Sequence, residues 1–454
     1  MTPSAVVIGV DVGTTSVKAA AVNRAGRVVG EGTSAPIETI AESPGAAEQR
    51  PEDVADALRD ACLGALESAG GGVAAAALAM GAQSGSVLAV DDRMAPLSRL
   101  LSWMDARSKP VVEGWGYPTI QKVRAISGWS ASAGLGLSSI AWLRNEGLGS
   151  GARFGPVDAY LAALMTGRFA TNPSNAAGVQ LMDAGRRVWS TELCALAGTT
   201  PDRLPDLVAS GDDIGVISDE FGFGPSVRLV AGGHDQTCSA LALGVRDTGQ
   251  AFLSAGTAWV LTNVVADGSL QGLQPSFNLS PHVVDGRWTT STNIGGLGAV
   301  VAWALDALDD GPVGEYSPLF VPSLLESDRT QWGRFVGAGR AVLGCVFETC
   351  AFEVRRAIES AGGQHLSSEL VMVGGGTRNR ELVQAIADAT NRTVVVRPDR
   401  PWPALGAAVL AADALGWGSI EIETADGGYR MQPRHQLDNS HRYERYLELT
   451  DTSK

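Results

Sequence analysis

Residues Val6 to Val10 read as a buried strand, the chain then breaks at a polar knot of Asp11, Gly13, Thr14 and Thr15, and it turns apolar again up to Asn23. Apolar runs of this length, bounded by turn residues, suit strands covered on both faces. The second run closes on "NRAGR", whose Ala-Gly pair fits a hairpin turn. From Arg50, "RPEDVADALRDACLGALESAG" carries apolar positions at helical spacing, with Pro51 and acids in the first turn and glycines at the end. "VAAAALAMGAQ" and "SGSVLAVDDR" return to strand-like runs, so the pattern is β-rich first and mixed α/β afterwards.

Three amphipathic stretches follow, "SSIAWLRNEG", "DAYLAALMTG" and "WSTELCALAG", each stopped by glycine. They are expected to form a helical layer over the first sheet. Near "FGFGPSVRLVAGGHDQTCSALALGV" the pattern resets: a strand from Arg228 to Ala231, a Gly-Gly-His-Asp turn, then a helix rich in small residues. "GQAFLSAGTAWVLTNVV" repeats the opening arrangement, two apolar runs around a Gly-Thr knot. This reads as an internal duplication, with the domain boundary just after Pro225, giving domains 1–225 and 226–454.

The length of 454 residues, 45% of them hydrophobic, also exceeds what one core normally serves. A formal net charge of −14 and a pI of about 4.9 argue against sequence-independent binding to nucleic acid or to an anionic membrane, both of which need a positive field. A small-molecule partner is expected instead. Cys62, Cys194, Cys238, Cys345 and Cys350 are odd in number and include no C-x-x-C pair, so neither a disulfide framework nor a zinc site is indicated. The opening "MTPSAVVIGV" has no secretory pattern and "GGVAAAALAMGA" is too short and glycine-broken to span a bilayer, so the expected location is the cytoplasm.

Four knots carry candidate chemistry. In "GVDVGTTSVK" a tight hairpin offering backbone N–H groups and Thr hydroxyls suits a phosphate chain, with Asp11 available to hold a hydrated Mg²⁺ opposite it. The plain alternative is a β-turn whose Asp and Thr satisfy local backbone groups. "SAGTAWV" offers the same chemistry from Gly256 and Thr257. "ELVMVGGGTRNRELVQAIADATN" is a strand, a triple glycine and a helix beginning near Asn379, a form that lets a ligand lie against bare backbone. It misses the dinucleotide fingerprint, since Asn379 stands where the third glycine belongs, and no G-x-x-x-x-G-K-S/T occurs anywhere. In "AGGHDQTCSALALG", Asp235 either projects from a helix start or caps that helix. "LSWMDARSKP" sets Trp103, Asp105 and Arg107 at alternate positions, facing one way if extended, which suits a polyhydroxylated ligand or else an ordinary surface ion pair.

Taken together, "GVDVGTTSVK", "WMDAR", "AGGHDQT", "SAGTAWV", "VGGGTRNREL" and "PWPALGAAVLAA" resemble, in order and spacing, the FGGY carbohydrate kinases of the actin/Hsp70/hexokinase superfold. "DAYLAALMTGRFATNPSNAAGVQLMD" is similar to the corresponding part of xylulose kinases. The resemblance implies an α/β protein of two actin-like (ribonuclease H-like) domains, mixed sheets flanked by helices, with the active site in a cleft between them. It implies ATP and Mg²⁺ as cofactors, a small sugar as substrate and, since dimers are frequent among such kinases, a homodimer. By the same resemblance Asp235 is the general base and Asp11 positions Mg²⁺. Gly13, Thr14 and Thr15 form one phosphate-binding turn, Gly256 and Thr257 the other, and Gly375, Gly376 and Asn379 the adenosine turn. Gln83, Trp103, Asp105 and Gln236 fall where such kinases meet the sugar.

This chain departs from that pattern at three places. "QSGS" (Gln83 to Ser86) stands where xylulose kinases read "QMHG", so Gly85 replaces a histidine; Ser139 replaces a lysine ahead of Trp142; and the second signature, near "RFVGAGRAVLGCVFETCAFEV", is short. The expectation is an active kinase for a ketopentose such as xylulose, or a related ketose or polyol. A catalytically weak sugar- or nucleotide-binding sensor stays open as the alternative.

Overall fold

The computed structural model describes residues 4–450 apart from 312, 315–316, 324–331, 419, 424–426 and 435–439. Two compact units result. The first comprises Met1–Arg246, Val265–Thr289 and Pro401–Glu423; the second comprises Asp247–Val264, Thr290–Arg400 and Thr424–Lys454.

In the first unit the strand Ser4–Val12 runs antiparallel to Val17–Asn23 and parallel to Val73–Ala82. The expected hairpin turn follows Asn23, whose Oδ1 accepts from the N–H groups of Ala25 and Arg27 at 2.9 and 3.1 Å. Alternation along Ser4–Val12 sends Val6, Ile8 and Val10 into one core and Gly9 to the opposite face. That core receives the helix Pro51–Ser68, which buries Val54, Ala57, Leu58, Ala61, Cys62 and Ala65, the stripe that 3.6-residue periodicity demands. On the other face the helix Trp402–Ala414 presses directly on Gly9: a Cβ there would lie 1.8 Å from Ala404 O. At Gly406 the same helix meets Cys238 O, 1.9 Å from where a Cβ would stand. The small residues of "PALGAAVLAA" therefore serve close packing under the sheet.

The strand Arg228–His234 is parallel to Val73–Ala82 and completes this six-stranded sheet with Asp213–Val216 and Val28–Thr33 at its edges. Two expectations change here. The strand continues through Gly232 and Gly233 into the helix Asp235–Ala242, with a bulge between Val230 and Gly233 but no intervening turn: Gly233 pairs with Gly81, and a Cβ on Gly232 would stand 1.8 Å from Met80 O. Compact units also part the chain elsewhere than after Pro225, since this strand is paired into the first sheet and Pro401–Glu423 returns to it.

Only one of the three predicted helices covers the sheet. Val157–Thr166 packs in its core, whereas Gly136–Asn145 and Thr191–Leu196 share a separate core beside the small sheet of Glu48–Gln49, Leu100–Leu101, Val87–Val90 and Arg153–Pro156.

The second unit repeats the plan. The strand Ala251–Ala255 is antiparallel to Trp259–Val265 and parallel to Glu369–Val373, which is parallel to Thr393–Val396; Tyr429–Met431 closes the edge antiparallel. The helices Leu343–Ser360 and Arg380–Thr390 fill its core with Phe347, Phe352, Leu382 and Ile386 against Trp259 and Leu253. From Tyr429–Met431 across to Trp259–Val265 the pairing directions match those of the first sheet, although this sheet has seven strands and its antiparallel edge strand follows Thr393–Val396 in the chain, where Asp213–Val216 precedes Arg228–His234. Among the described residues no helix is long and apolar enough to cross a membrane.

Close packing predicts opposite effects for two glycines. Gly9→Ala forces backbone apart and is expected to cost about 2 kcal/mol or more. Gly64→Ala, inside the helix Pro51–Ser68 with its nearest neighbour 3.6 Å from the new Cβ, is expected to add roughly 0.5–1 kcal/mol. Thermal melting of both variants checks the pair.

Candidate active site

Register alone assembles the first unit's polar groups. Asp11 pairs with Gly81, and Gly81 with Gly233; one step on, Val12, Ala82 and His234 form the next row. Three neighbouring parallel strands thus end together, releasing the knot Gly13–Thr15, then Gln83, then Asp235 at their carboxyl ends, where open α/β sheets bind ligands. With strands about 4.8 Å apart, Asp11 and Gly233 are separated by roughly 10 Å.

Asp11 is a carboxylate held from water on a strand end. Burial, then the nearby charge of Asp235, push its pKa up to about 7, against a smaller pull from Lys18, its cross-strand partner. Its oxygens accept no hydrogen bond among the described residues. Asp235 begins the helix Asp235–Ala242. Its Oδ1 accepts from Gln236 N–H at 2.5 Å and lies 2.9 Å from His234 Nε2, while Oδ2 has no partner among the described residues. The Asp235 side chain stays 29% exposed, enough to meet a ligand. Gln236 turns Oε1 into a buried position with no hydrogen-bond partner.

Two neighbouring carboxylates, one short of partners, suit a hard divalent cation. Mg²⁺ takes one or two carboxylates and completes its shell with water and phosphate, so a fuller protein cage is not required. Consistently, no cluster of three or more His, Cys, Asp or Glu side chains with metal-binding geometry occurs among the described residues.

Thr14, Gln83 and Trp103, singled out separately in the sequence, form one network. Trp103 Nε1–H donates to Thr14 Oγ1 at 3.2 Å, and Thr14 Oγ1 donates to Gln83 Oε1 at 2.8 Å. Ser86 Oγ also donates to Gln83 Oε1, and Gln49 Nε2 donates to Thr14 O at 2.7 Å. Gln83 is buried, whereas the indole of Trp103 is 49% exposed with its edge pinned. The Thr14 hydroxyl is therefore spent inside the protein. The N–H groups of Gly13, Thr14 and Thr15 donate to no described residue, which leaves an anion-binding concavity of bare donors.

Trp103, Asp105 and Arg107 do not share one face. The segment turns rather than extends, because Asp105 is drawn inward, 2% exposed, and accepts from Ala47 N at 2.9 Å and from Arg107 Nη2 at 2.7 Å. Arg107 also reaches Glu48 at 2.6 Å and covers the Trp142 ring at 4.3 Å. Asp105 thus ties loops together. Ser84 donates to Asn175 O at 2.8 Å, and Ser139 is buried with its hydroxyl unpartnered.

In the second unit Gly256 and Thr257 lie in the turn after Ala251–Ala255, with the start of the helix Leu297–Ala307 pressed against them: a Cβ on Gly298 would stand 2.0 Å from Gly256 O. Gly375 and Gly376 form a tight turn after Glu369–Val373, their N–H groups unspent among the described residues. Asn379 caps the helix Arg380–Thr390, its Oδ1 accepting from Glu381 and Leu382 N–H, both at 3.0 Å.

His234, Gln49, Ser174 and Thr237 carry no site signal in the sequence beyond the Gly-Gly-His-Asp stretch itself. Nothing in a linear pattern pairs them with the site. Their partners come from residues 35 to 63 positions away.

Residues 6–242 match the model of the FGGY family of carbohydrate kinases, N-terminal domain, and residues 339–415 that of its C-terminal domain. The chain is 28% identical to a xylulose kinase of Bacillus subtilis (strain 168), over 92% of this chain and 90% of that protein. It is 27% identical to a glycerol kinase of Thermococcus gammatolerans, over 91% and 90%. A ligand-bound xylulose kinase from Lactobacillus acidophilus shares the fold, with a TM-score of 0.88 at 20% identity, covering 98% of this chain and 97% of that one.

The state of Asp11 predicts a pH-dependent stability. Its folded pKa, about 7, lies above the unfolded value of 3.8, so folding favours the protonated form and stability falls as pH rises from about 4 to 7. Asp11→Asn removes that fall. Without added metal the variant is expected to melt like the parent near pH 4 and above it, by a few kcal/mol in stability, at pH 8; equal melting temperatures at both pH values exclude a buried charge at this position.

Proposed function

Because the chain belongs to the FGGY family of carbohydrate kinases, an ATP-using family of sugar phosphotransferases, we propose that Asp235 is its general base and that its substrate is a small ketose, a ketopentose such as xylulose or a related ketose or polyol. One observation carries the reading: three parallel strands end in register, bringing Asp11, Gln83 and Asp235 to one edge with Asp235 Oδ2 unengaged.

In this reading Oδ2 of Asp235 takes the proton as the sugar oxygen attacks the γ-phosphorus; the new O–P bond forms as the bond to the departing ADP oxygen breaks. Phosphoryl transfer needs chiefly alignment and charge neutralisation, which an ordinary carboxylate base serves. The exposed indole face of Trp103 covers the C–H face of the sugar, while Gln83 and the unsatisfied Gln236 Oε1 bond its hydroxyls. Asp105, fully engaged with Arg107 and Ala47, supports the loop that carries Trp103.

The bare N–H groups of Gly13, Thr14 and Thr15 hold phosphate oxygens, as do Gly256 and Thr257; Gly375 and Gly376 lie against adenosine, and Asn379 fixes the helix that follows. Asp11 would hold Mg²⁺, whose charge would offset that of the phosphates and of both carboxylates. The setting proposed is the cytoplasm, and the assembly a homodimer by analogy with the family. The sensor alternative draws on the departures at Gly85 and Ser139 and on the short second signature, whereas the unengaged Asp235 Oδ2 and the bare N–H groups of Gly13–Thr15 support the kinase reading.

An ADP-release assay across ketopentoses, ketohexoses, aldoses and polyols is expected to show highest kcat/KM with a ketose, and absence of turnover with every one overturns the kinase reading of this chain. Asp235→Asn is expected to lower kcat by about 10²–10⁴-fold while ATP still binds. Turnover within a few-fold of the parent places the base elsewhere.

A further inference from the structure

His234 stands at the cap of the helix Asp235–Ala242, with φ −61 and ψ 139, yet its side chain caps nothing. The ring instead turns toward the neighbouring carboxylate, Nε2 lying 2.9 Å from Asp235 Oδ1. It is 14% exposed and rests against Trp129, ring centroids 6.4 Å apart at 56°.

The backbone under this ring is fastened on both sides. His234 N–H donates to Ser174 Oγ at 3.1 Å, and Thr237 Oγ1 donates to His234 O at 2.8 Å. The Ser174 and Thr237 hydroxyls meet at 2.6 Å. Ser174 belongs to the short helix Pro173–Ala176, which Asn172 caps. That helix is anchored in turn on the buried Asp158, which accepts from Thr171, Asn172 and Asn175 at 2.7, 3.3 and 2.6 Å. Hydrogen bonds therefore fasten the short helix to an interior carboxylate, and the Ser174 and Thr237 hydroxyls fasten the backbone of His234, the residue whose ring lies beside Asp235.

A carboxylate on a one-carbon stem samples several rotamers, and displacement by about 1 Å at a reacting group costs on the order of 10²-fold in rate. Oδ1 accepts from the Gln236 N–H at 2.5 Å and lies 2.9 Å from the imidazole Nε2. Facing a carboxylate, Nε2 is the ring nitrogen suited to carry the hydrogen. Oδ2, with no partner among the described residues, is the oxygen left to take a proton. We propose that His234 is a positioning residue: its Nε2–H locks Oδ1 of Asp235 so that Oδ2 points at the acceptor hydroxyl.

The proposal rests on Asp235 being the base, and the experiment separates the two. His234→Ala is expected to lower kcat by about 10–100-fold with KM for sugar and for MgATP changed less than about twofold. His234→Gln, whose Nε2 reaches the same place, is expected to recover kcat to within about fivefold of the parent. A kcat for His234→Ala within twofold of the parent, a loss seen in KM instead, or no recovery in His234→Gln overturns the role of His234. Asp235→Asn in parallel keeps the readings apart: an active Asp235→Asn removes the base and this proposal together, whereas an inactive one beside a fully active His234→Ala removes only this proposal. If His234→Ala does not fold, Ser174→Ala releases the same ring from its backbone anchor. It is expected to lose about 3–10-fold in kcat at unchanged KM, and parental kcat there overturns the proposal equally.

Discussion

Parallel pairing of Ser4–Val12, Val73–Ala82 and Arg228–His234 is the constraint on which the first unit and its site depend. Each strand supplies one polar terminus and none supplies a site. A slip of one residue at either ladder would turn a strand's side chains to the opposite face and displace Asp11 or Asp235 from the shared edge. Register is protected by what lies beneath: the helix Trp402–Ala414 fits only where Gly9 and Gly406 bring backbone into contact with backbone, so the ladder and the helix fix each other. A segment about 400 residues from the first strand thereby holds that strand-end edge in place.

That edge is built against stability. Asp11 is buried beside a second carboxylate with a single lysine for relief, an arrangement that favours a proton when nothing else is bound. In the proposed reading, a dication bound there would remove the repulsion the fold tolerates. The polar groups around it behave differently. Thr14, Gln83 and Trp103 satisfy one another, and Asp105 and Arg107 close a compact ion pair, while Asp11 and Oδ2 of Asp235 have no hydrogen-bond partner among the described residues.

The second unit uses the same pairing directions for another purpose. Its turns Gly256–Thr257 and Gly375–Gly376 sit at the ends of adjacent parallel strands, as Gly13–Thr15 and Gln83 do in the first, but they carry backbone donors where the first unit has Asp11 at its strand end and Asp235 just beyond another.

What the residue pattern determined by itself was local: the two hairpins with polar knots, the helix Pro51–Ser68, the strand–glycine–helix unit around Gly375, and the repetition between halves. Each is written in neighbouring residues through apolar spacing, turn chemistry and caps. The family followed from motifs whose order survives in one dimension. Tertiary structure alone decided that Arg228–His234 joins the first sheet and not a second domain, that Gly232 and Gly233 are strand, and that Asp105 is spent on Arg107. It alone brought His234 to Asp235 through Ser174 and Thr237. Parallel ladders and buried polar contacts join residues tens to hundreds of positions apart, and no periodicity along the chain encodes which distant partner a strand or a hydroxyl will meet.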